Sequence, residues 1–426
     1  MYIHIVQEGE SLWGIAAYYN VSAQRLITDN GIRNPYQLVV GQALIVLIPE
    51  VMHVVRSGET LQGIASAYQT TVMQLIRNNP VLTNRSALSA GETLTITFSD
   101  MGQQSIRVNG YVYPHVDKSV LEYALPFLTY LTIFGYGFHP DGTLIPTDDE
   151  GLIALARSYA TGPVMLLSTI TESGTFSSTQ LEAILNNPPA QDVLLENIVQ
   201  TMYQKQYVGL DLDFEYIAPE LREAYLEFIQ KTVDRLRPEG FFVNVDLAPK
   251  TSAGQKGLLY EAHDYAAIGA IADTVFLMTY EWGHTNGPPM AVAPLDKVKE
   301  VVNYALTEIP ADKIMMGIPN YGYIWELPYQ PGVPARSIGN VQAVEIAAQY
   351  GVFISFDETA QSPYFYYYDE TGRENVVWFE DVKSIQQKLF LAGQSALRGV
   401  GYWNLMRPFP QNWAILNSMF QILKVL

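Results

Sequence analysis

Three acids fall within five positions of the run Tyr-Val-Gly-Leu-Asp-Leu-Asp-Phe-Glu-Tyr at residues 207–216. Side chains on a strand point alternately to opposite faces, so Asp211, Asp213 and Glu215 share one face and Leu210, Leu212 and Phe214 the other. The apolar face has to be buried, which turns the acidic face toward an enclosed, wet space. Stacked carboxylates cannot all ionise there without repulsion, so at least one pKa rises. A carboxylic acid that keeps its proton near neutral pH is what a general acid needs. An edge strand with a solvated acidic side, or a cation-binding loop, uses the same residues, and the surrounding chain has to decide.

That chain supplies a scaffold. From residue 106 onward apolar runs alternate with segments of helical period, with candidate strands at 106–113, 129–138, 163–170, 207–215, 241–247, 274–280, 313–319 and 398–404. Between the fourth and fifth, Leu221, Tyr225, Phe228, Ile229, Thr232, Val233 and Leu236 form one apolar helical stripe, stopped by Pro238 and Gly240. Eight such βα units predict an α/β fold, a (β/α)8 TIM barrel spanning 106–426. The gap at about 325–378 exceeds a simple loop, and its Tyr364-Phe365-Tyr366-Tyr367-Tyr368 run points to a small α+β insertion. An open doubly wound sheet is the runner-up, but no glycine-rich phosphate loop follows an early strand.

Catalytic groups in such barrels sit at the C-terminal ends of strands. The other strand ends read Met278-Thr279-Tyr280-Glu281-Trp282, Pro319-Asn320-Tyr321-Gly322-Tyr323 and Tyr402-Trp403-Asn404, and Tyr113 closes the first strand. Aromatic rings at a pocket mouth offer flat apolar faces to sugar rings. Tyr321, Trp403 and Tyr113 are therefore candidate substrate contacts, with Met278 and Glu281 as candidates beside them on the same rim.

Composition narrows the classes. The 426 residues carry a net charge of −18, split as −1 over residues 1–99 and −17 over the remainder. So acidic a surface argues against nucleic acid and against docking on anionic lipid. Cysteine is absent, which removes disulfides and thiolate metal sites. No charged and apolar leader follows Met1, so no secretory signal is expected. The longest apolar stretch, 125–138, is too short and too rich in Thr and Gly to span a bilayer.

The first hundred residues repeat. His4 to Ala16 matches His53 to Ala65 at an offset of 49, and the register holds through Leu26/Leu75 and Asn30/Asn79 before slipping by one at Gly41/Gly91. Each copy, 1–49 and 50–99, reads as strand, helix, helix, strand. The polar segment 99–105 is a plausible boundary.

Both copies resemble LysM modules, on the signature Gly-Glu-Ser-Leu or Gly-Glu-Thr-Leu, Ile-Ala, an Asn and a late Gly-x-x-Leu. The resemblance implies shallow binding of N-acetylglucosamine-containing glycans by Gly9, Ser11, Leu12 and Asn30 in the first copy and by Gly58, Thr60, Leu61 and Asn79 in the second. Turn and capping chemistry is the alternative for each of these residues. Two tandem weak sites gain avidity without new contacts.

Residues 106–426 are similar to glycoside hydrolase family 18. Gly209–Glu215 resembles its D-G-x-D-x-D-x-E strand, Met278-x-Tyr280-Glu281 its M-x-Y-D, and Trp403 its pocket-closing tryptophan. With two LysM modules and no leader, the chain most resembles the SleL/YaaH-like spore cortex-lytic N-acetylglucosaminidases. The resemblance implies Glu215 as general acid, Asp213 orienting the substrate's 2-acetamido group, Tyr280 bonding its carbonyl and Asp211 tuning Asp213. It also implies a substrate-assisted, retaining reaction without an enzyme nucleophile. No metal or organic cofactor is implied. The expected partner is peptidoglycan or another N-acetylglucosamine-containing glycan, and the expected setting is a monomer associated with the spore cortex or coat. Chitin or N-glycans are alternative substrates for the same machinery. A non-catalytic glycan-binding coat protein is disfavoured because lectin-like members of the family have lost the acid that Glu215 supplies. Departures from the family pattern are Val208 for its first acid, Phe214 for a frequent Trp, and Glu281 for Asp.

Overall fold

The computed structural model describes residues 1–426 apart from 86, 172 and 173. Its centre is a closed ring of eight parallel strands: β1 (Ser105–Val112), β2 (Tyr130–Phe138), β3 (Gly162–Ser168), β4 (Gly209–Asp213), β5 (Phe242–Leu247), β6 (Thr274–Leu277), β7 (Ile314–Pro319) and β8 (Gly399–Trp403). Each pairs with its neighbours in chain order, and β1 pairs with both β2 and β8, which closes the (β/α)8 barrel. Closure leaves no free edge within the ring.

The apolar face of β4 is wholly buried at Leu210 and Leu212, as the alternation requires. Against it lies α1 (Arg222–Leu236), which buries Tyr225, Phe228, Ile229, Thr232, Val233 and Leu236 on one side. It ends in a short 3-10 turn through Pro238, and Gly240 at φ +85 reverses the chain in a region where other residues are strained.

Between β7 and β8 the chain builds a five-stranded antiparallel sheet from Gly322–Glu326, Arg336–Ile338, Ser355–Asp357, Ser362–Tyr368 and Glu374–Trp378. Helix α2 (Asn340–Tyr350) covers one face. The tyrosine run alternates as a half-buried strand should: Phe365 and Tyr367 enter the core under α2, whereas Tyr366 and Tyr368 are exposed. Helix α3 (Val382–Gln394) then leads into β8.

Each N-terminal repeat is a βααβ unit. The first comprises Tyr2–Ile5, Leu12–Tyr19, Ala23–Asn30 and Ala43–Val46; the second comprises Pro49–Val54, Leu61–Ala67, Val72–Asn78 and Thr93–Phe98, with a short 3-10 turn before its last strand. The repeat extends to polar detail. His4 bonds Glu10 and Tyr19, and His53 bonds Glu59 and Tyr68. The modules are packed on the barrel rather than strung beside it. From α4 (Pro410–Met419), Gln411 donates to the Asn30 side chain and the Ala43 carbonyl, and Asn417 donates to the Asn78 side chain. Ala43, Ile45, Leu47 and Phe98 join the apolar cluster of the barrel.

Candidate active site

Strand β4 ends at Asp213, two residues before Glu215, so the sequence expectation of a strand through 215 runs slightly long. The extended backbone nevertheless keeps the alternation. Phe214 is fully buried, stacked on Phe228 at 6.0 Å between ring centroids. Its carbonyl accepts a hydrogen bond from His263 Nε2 at 3.0 Å, while His263 Nδ1 accepts from the Ala248 amide at 2.9 Å. Burial lowers the His263 pKa to about 4, so the ring is neutral and carries its proton on Nε2. Phe214 is thus held from two sides, and Glu215 turns the opposite way. Tyr216 follows at φ +54, a left-handed conformation uncommon outside glycine.

Asp211 and Asp213 differ in how they are satisfied. Asp211 accepts from Tyr111 Oη at 2.9 Å and from Asn244 Nδ2 at 2.6 Å. Asp213 is nearly as enclosed, 9% exposed against 0% for Asp211, yet its Oδ1 has no hydrogen-bond partner among the described residues. Burial, reinforced by the Glu215 and Asp211 charges, holds Asp213 well above the ordinary carboxylate range. Glu215 is raised as well, by burial first and then by Glu281. Glu281 is itself raised by burial, an effect opposed by hydrogen bonds from Tyr321 and from Tyr323. Its backbone sits at φ +68. Such left-handed non-glycine positions cost on the order of 1–3 kcal/mol and cluster at functional sites.

Asp213, Glu215, Met278, Tyr280, Glu281 and Trp403 converge on one cleft of about 400 Å³. Strand β6 stops at Leu277, so Met278, Tyr280 and Glu281 lie on the segment beyond it. Two barrel glycines make room beneath: a Cβ on Gly401 would lie 2.5 Å from the Phe276 ring, and one on Gly317 would lie 2.7 Å from the Tyr280 ring. Trp403 is braced edge-on by Tyr111, Tyr113 and Phe134.

Other expected residues stand one layer away. Asp211 is fully buried below the cleft, Tyr113 packs on Trp403, and Tyr321 reaches the cleft through Glu281. Asp246, Tyr216, Tyr260 and His284 also line the cleft and were not expected there, and Trp282 joins them from the strand-end run already noted. Asp246 had a signal: with Asn244 it repeats on β5 the same-face polar pattern that singled out β4.

In the N-terminal modules the expected sugar contacts are mostly structural. Asn30 donates to the Leu26 and Ile45 carbonyls and accepts from the Ile45 amide; Asn79 does the same with Leu75 and Thr95. Both are buried braces and present no free amide to a ligand. Leu12 is a core residue and Leu61 is partly buried. Ser11 and Thr60 cap helices, accepting from the Gly14 and Gly63 amides. Gly9 and Gly58 occupy positive-φ turns at +80 and +86. What the first module does expose is an aromatic pair, Trp13 and Tyr36, 45% and 84% accessible, with ring centroids 4.9 Å apart. Gln62 stands at the position corresponding to Trp13 in the second.

The profile of Glycosyl hydrolases family 18 matches residues 112–407. The chain belongs to glycoside hydrolase family 18. It is a glycoside hydrolase, and the LysM domain profile matches residues 4–46 and 53–97. The chain is 41% identical to the cortical fragment-lytic enzyme of Bacillus subtilis (strain 168), covering 100% of this chain and 99% of that relative. Among solved structures it is similar to the Bacillus megaterium QM B1551 spore cortex-lytic enzyme SleL, with TM-score 0.85, 38% identity and coverage of 100% and 99%. A chitinase from Chromobacterium violaceum ATCC 12472, with TM-score 0.69 and 23% identity over 74% of this chain and 98% of its own, shares the fold. A family 18 cleft that holds a raised carboxyl beside a second carboxyl with a free oxygen can deliver a proton and bind an N–H.

Proposed function

We propose that this family 18 enzyme cleaves β-1,4 bonds on the reducing side of N-acetylglucosamine in spore-cortex peptidoglycan. The full-length similarity to cortex-lytic enzymes supports the substrate and the spore association. The observation that carries the mechanism is the partnerless Oδ1 of buried Asp213, next to Glu215 in the cleft. A buried carboxylate oxygen without a donor is costly, and a substrate acetamido N–H supplies one.

Glu215, protonated in its enclosed position, gives its proton to the leaving glycosidic oxygen. As the C1–O bond breaks, the acetamido carbonyl oxygen attacks C1 and closes an oxazolinium ring. Asp213 accepts the acetamido N–H and stabilises the positive charge that develops there, and the Tyr280 hydroxyl orients the carbonyl. Glu215, now ionised, takes a proton from water as that water opens the ring, and the original configuration at C1 is restored. Asp213 and Glu215 project from one strand and its extension, so neither is placed to act as an in-line nucleophile opposite the other. Trp403 forms the aromatic floor, and Trp13 with Tyr36 offers a stacking surface that retains the enzyme on polymeric glycan.

Digestion of purified cortex followed by mass spectrometry tests the reading. Fragments ending in reducing N-acetylglucosamine are expected. Fragments ending only in reducing N-acetylmuramic acid would contradict the assignment, and faster release from chitin oligomers would move the preferred substrate to chitin.

A further inference from the structure

Asp246 has no counterpart among the acids that drew attention in the sequence. It lies on β5, 3% exposed, at the floor of the cleft. Its Oδ1 is 3.1 Å from Tyr111 Oη and 3.0 Å from Asn244 Nδ2, the same two groups that bond Asp211 at 2.9 and 2.6 Å. Two buried carboxyls therefore share two donors. The hydrogens can be counted. The Asn244 amide has two and can give one to each acid, but the Tyr111 hydroxyl has one. The two carboxyls are also hydrogen-bonded to each other, and a bond between two carboxyls needs a proton on one of them, so one acid is neutral and its O–H donates to the other acid or to Tyr111 Oη. Asp211 has the shorter bonds and is the charged acceptor.

We propose that Asp246 is a positioning residue that carries this proton, so that the Asp211–Asp246 pair bears one negative charge rather than two and the anionic form of Asp213 above it is less disfavoured when the substrate's acetamido group becomes cationic. The groups facing Asp246 are Tyr111 from β1, Asp211 and Asp213 from β4, Tyr225 from α1 and Tyr280 beyond β6. All are acids or phenols, and no basic side chain is hydrogen-bonded to either carboxyl among the described residues. Burial and the Asp211 charge favour the neutral form of Asp246 in the same direction.

The inference rests on the roles given to Asp213 and Glu215. Its test is the pH profile of kcat on cortex fragments for Asp246→Asn and Asp246→Leu. If Asp246 is already neutral, Asp246→Asn changes no charge, and both limbs of the profile stay within a few tenths of a unit of wild type. An ionised Asp246 predicts instead an acid shift on the order of one unit when its charge is removed, and that result overturns the proposal. Asp246→Leu takes away the donor and should lower kcat roughly tenfold or more with KM little changed, and Asp246→Asn should recover most of the loss. Wild-type kcat in a folded Asp246→Leu enzyme would also overturn it. Should that variant fail to fold, the Asp246→Asn profile decides alone. Normal turnover by Glu215→Gln would instead remove the underlying mechanism, which separates the two failures.

Discussion

The barrel rim and the N-terminal modules hold the same kinds of side chain under opposite conditions. In the modules, Asn30 and Asn79 are buried with donors and acceptor committed to backbone groups, and the His4–Glu10–Tyr19 and His53–Glu59–Tyr68 networks close on themselves. At the rim, Asp213 is also buried but leaves one oxygen without a partner among the described residues, in a cluster of like charges. The contrast separates two reasons for a polar residue to be buried. A fully satisfied group holds the fold together; an unsatisfied one beside a cleft stores the free energy that a substrate releases by completing it.

Substitutions on the two sides should therefore fail in different ways. Glu215→Gln should lower kcat by roughly 10²–10⁴-fold, the worth of a positioned general acid, with glycan binding and thermal stability retained. Near-normal turnover would break the contrast at its strongest point. Asp213→Asn should cost roughly 10²-fold in rate through lost electrostatic stabilisation, again without loss of Tm. Asn30→Ala and Asn79→Ala should do the reverse, lowering stability by on the order of 3 kcal/mol through orphaned backbone groups while the folded fraction keeps its kcat. Denaturant unfolding beside initial rates measures both. Asn30→Ala should be the worse of the two, because Gln411 loses one of its two acceptors as well and keeps only the Ala43 carbonyl.

His263 belongs to the rim but acts as a brace. Between pH 6.5 and about 4 the unfolded chain binds a proton that the buried ring refuses, so stability falls with acidification across that window. The loss is on the order of 3 kcal/mol, and a His263→Gln protein should show a flatter dependence by that amount. The smallest effect is expected at the exposed pair. Trp13→Ala should weaken retention on insoluble peptidoglycan by about fivefold, the value of roughly one kcal/mol of stacking. Gln62→Ala in the second module should change nothing, and equal losses from both would erase the asymmetry between the copies.

Much of this arrangement was legible in the sequence, for identifiable reasons. The eight barrel strands announce themselves because each is an apolar run between amphipathic helices, and Asp211, Asp213 and Glu215 stand out because three acids on one face of a buried strand have no structural excuse. The true ends of β4 and β6 were not legible. After Asp213 burial keeps alternating although the ladder bonds have ended, and after Leu277 the chain tightens into turns in which the Thr279 and Tyr280 amides bond the carbonyls two residues back, so Glu215 and Tyr280 read as strand residues. Asp246 escaped notice as a single acid whose partners, Asp211 and Tyr111, lie 35 and 135 positions away. The asparagines misled for a different reason. A repeated residue marks whatever each copy needs, and here each copy needs a brace between its second helix and its last strand.

The account turns on the substrate supplying its own nucleophile. Proton NMR of the first product released from a soluble cortex fragment, read before mutarotation, tests this most directly. The β-anomer of the new reducing N-acetylglucosamine is predicted. Initial appearance of the α-anomer would show a single inverting displacement by water and would contradict the roles assigned to Asp213 and Glu215.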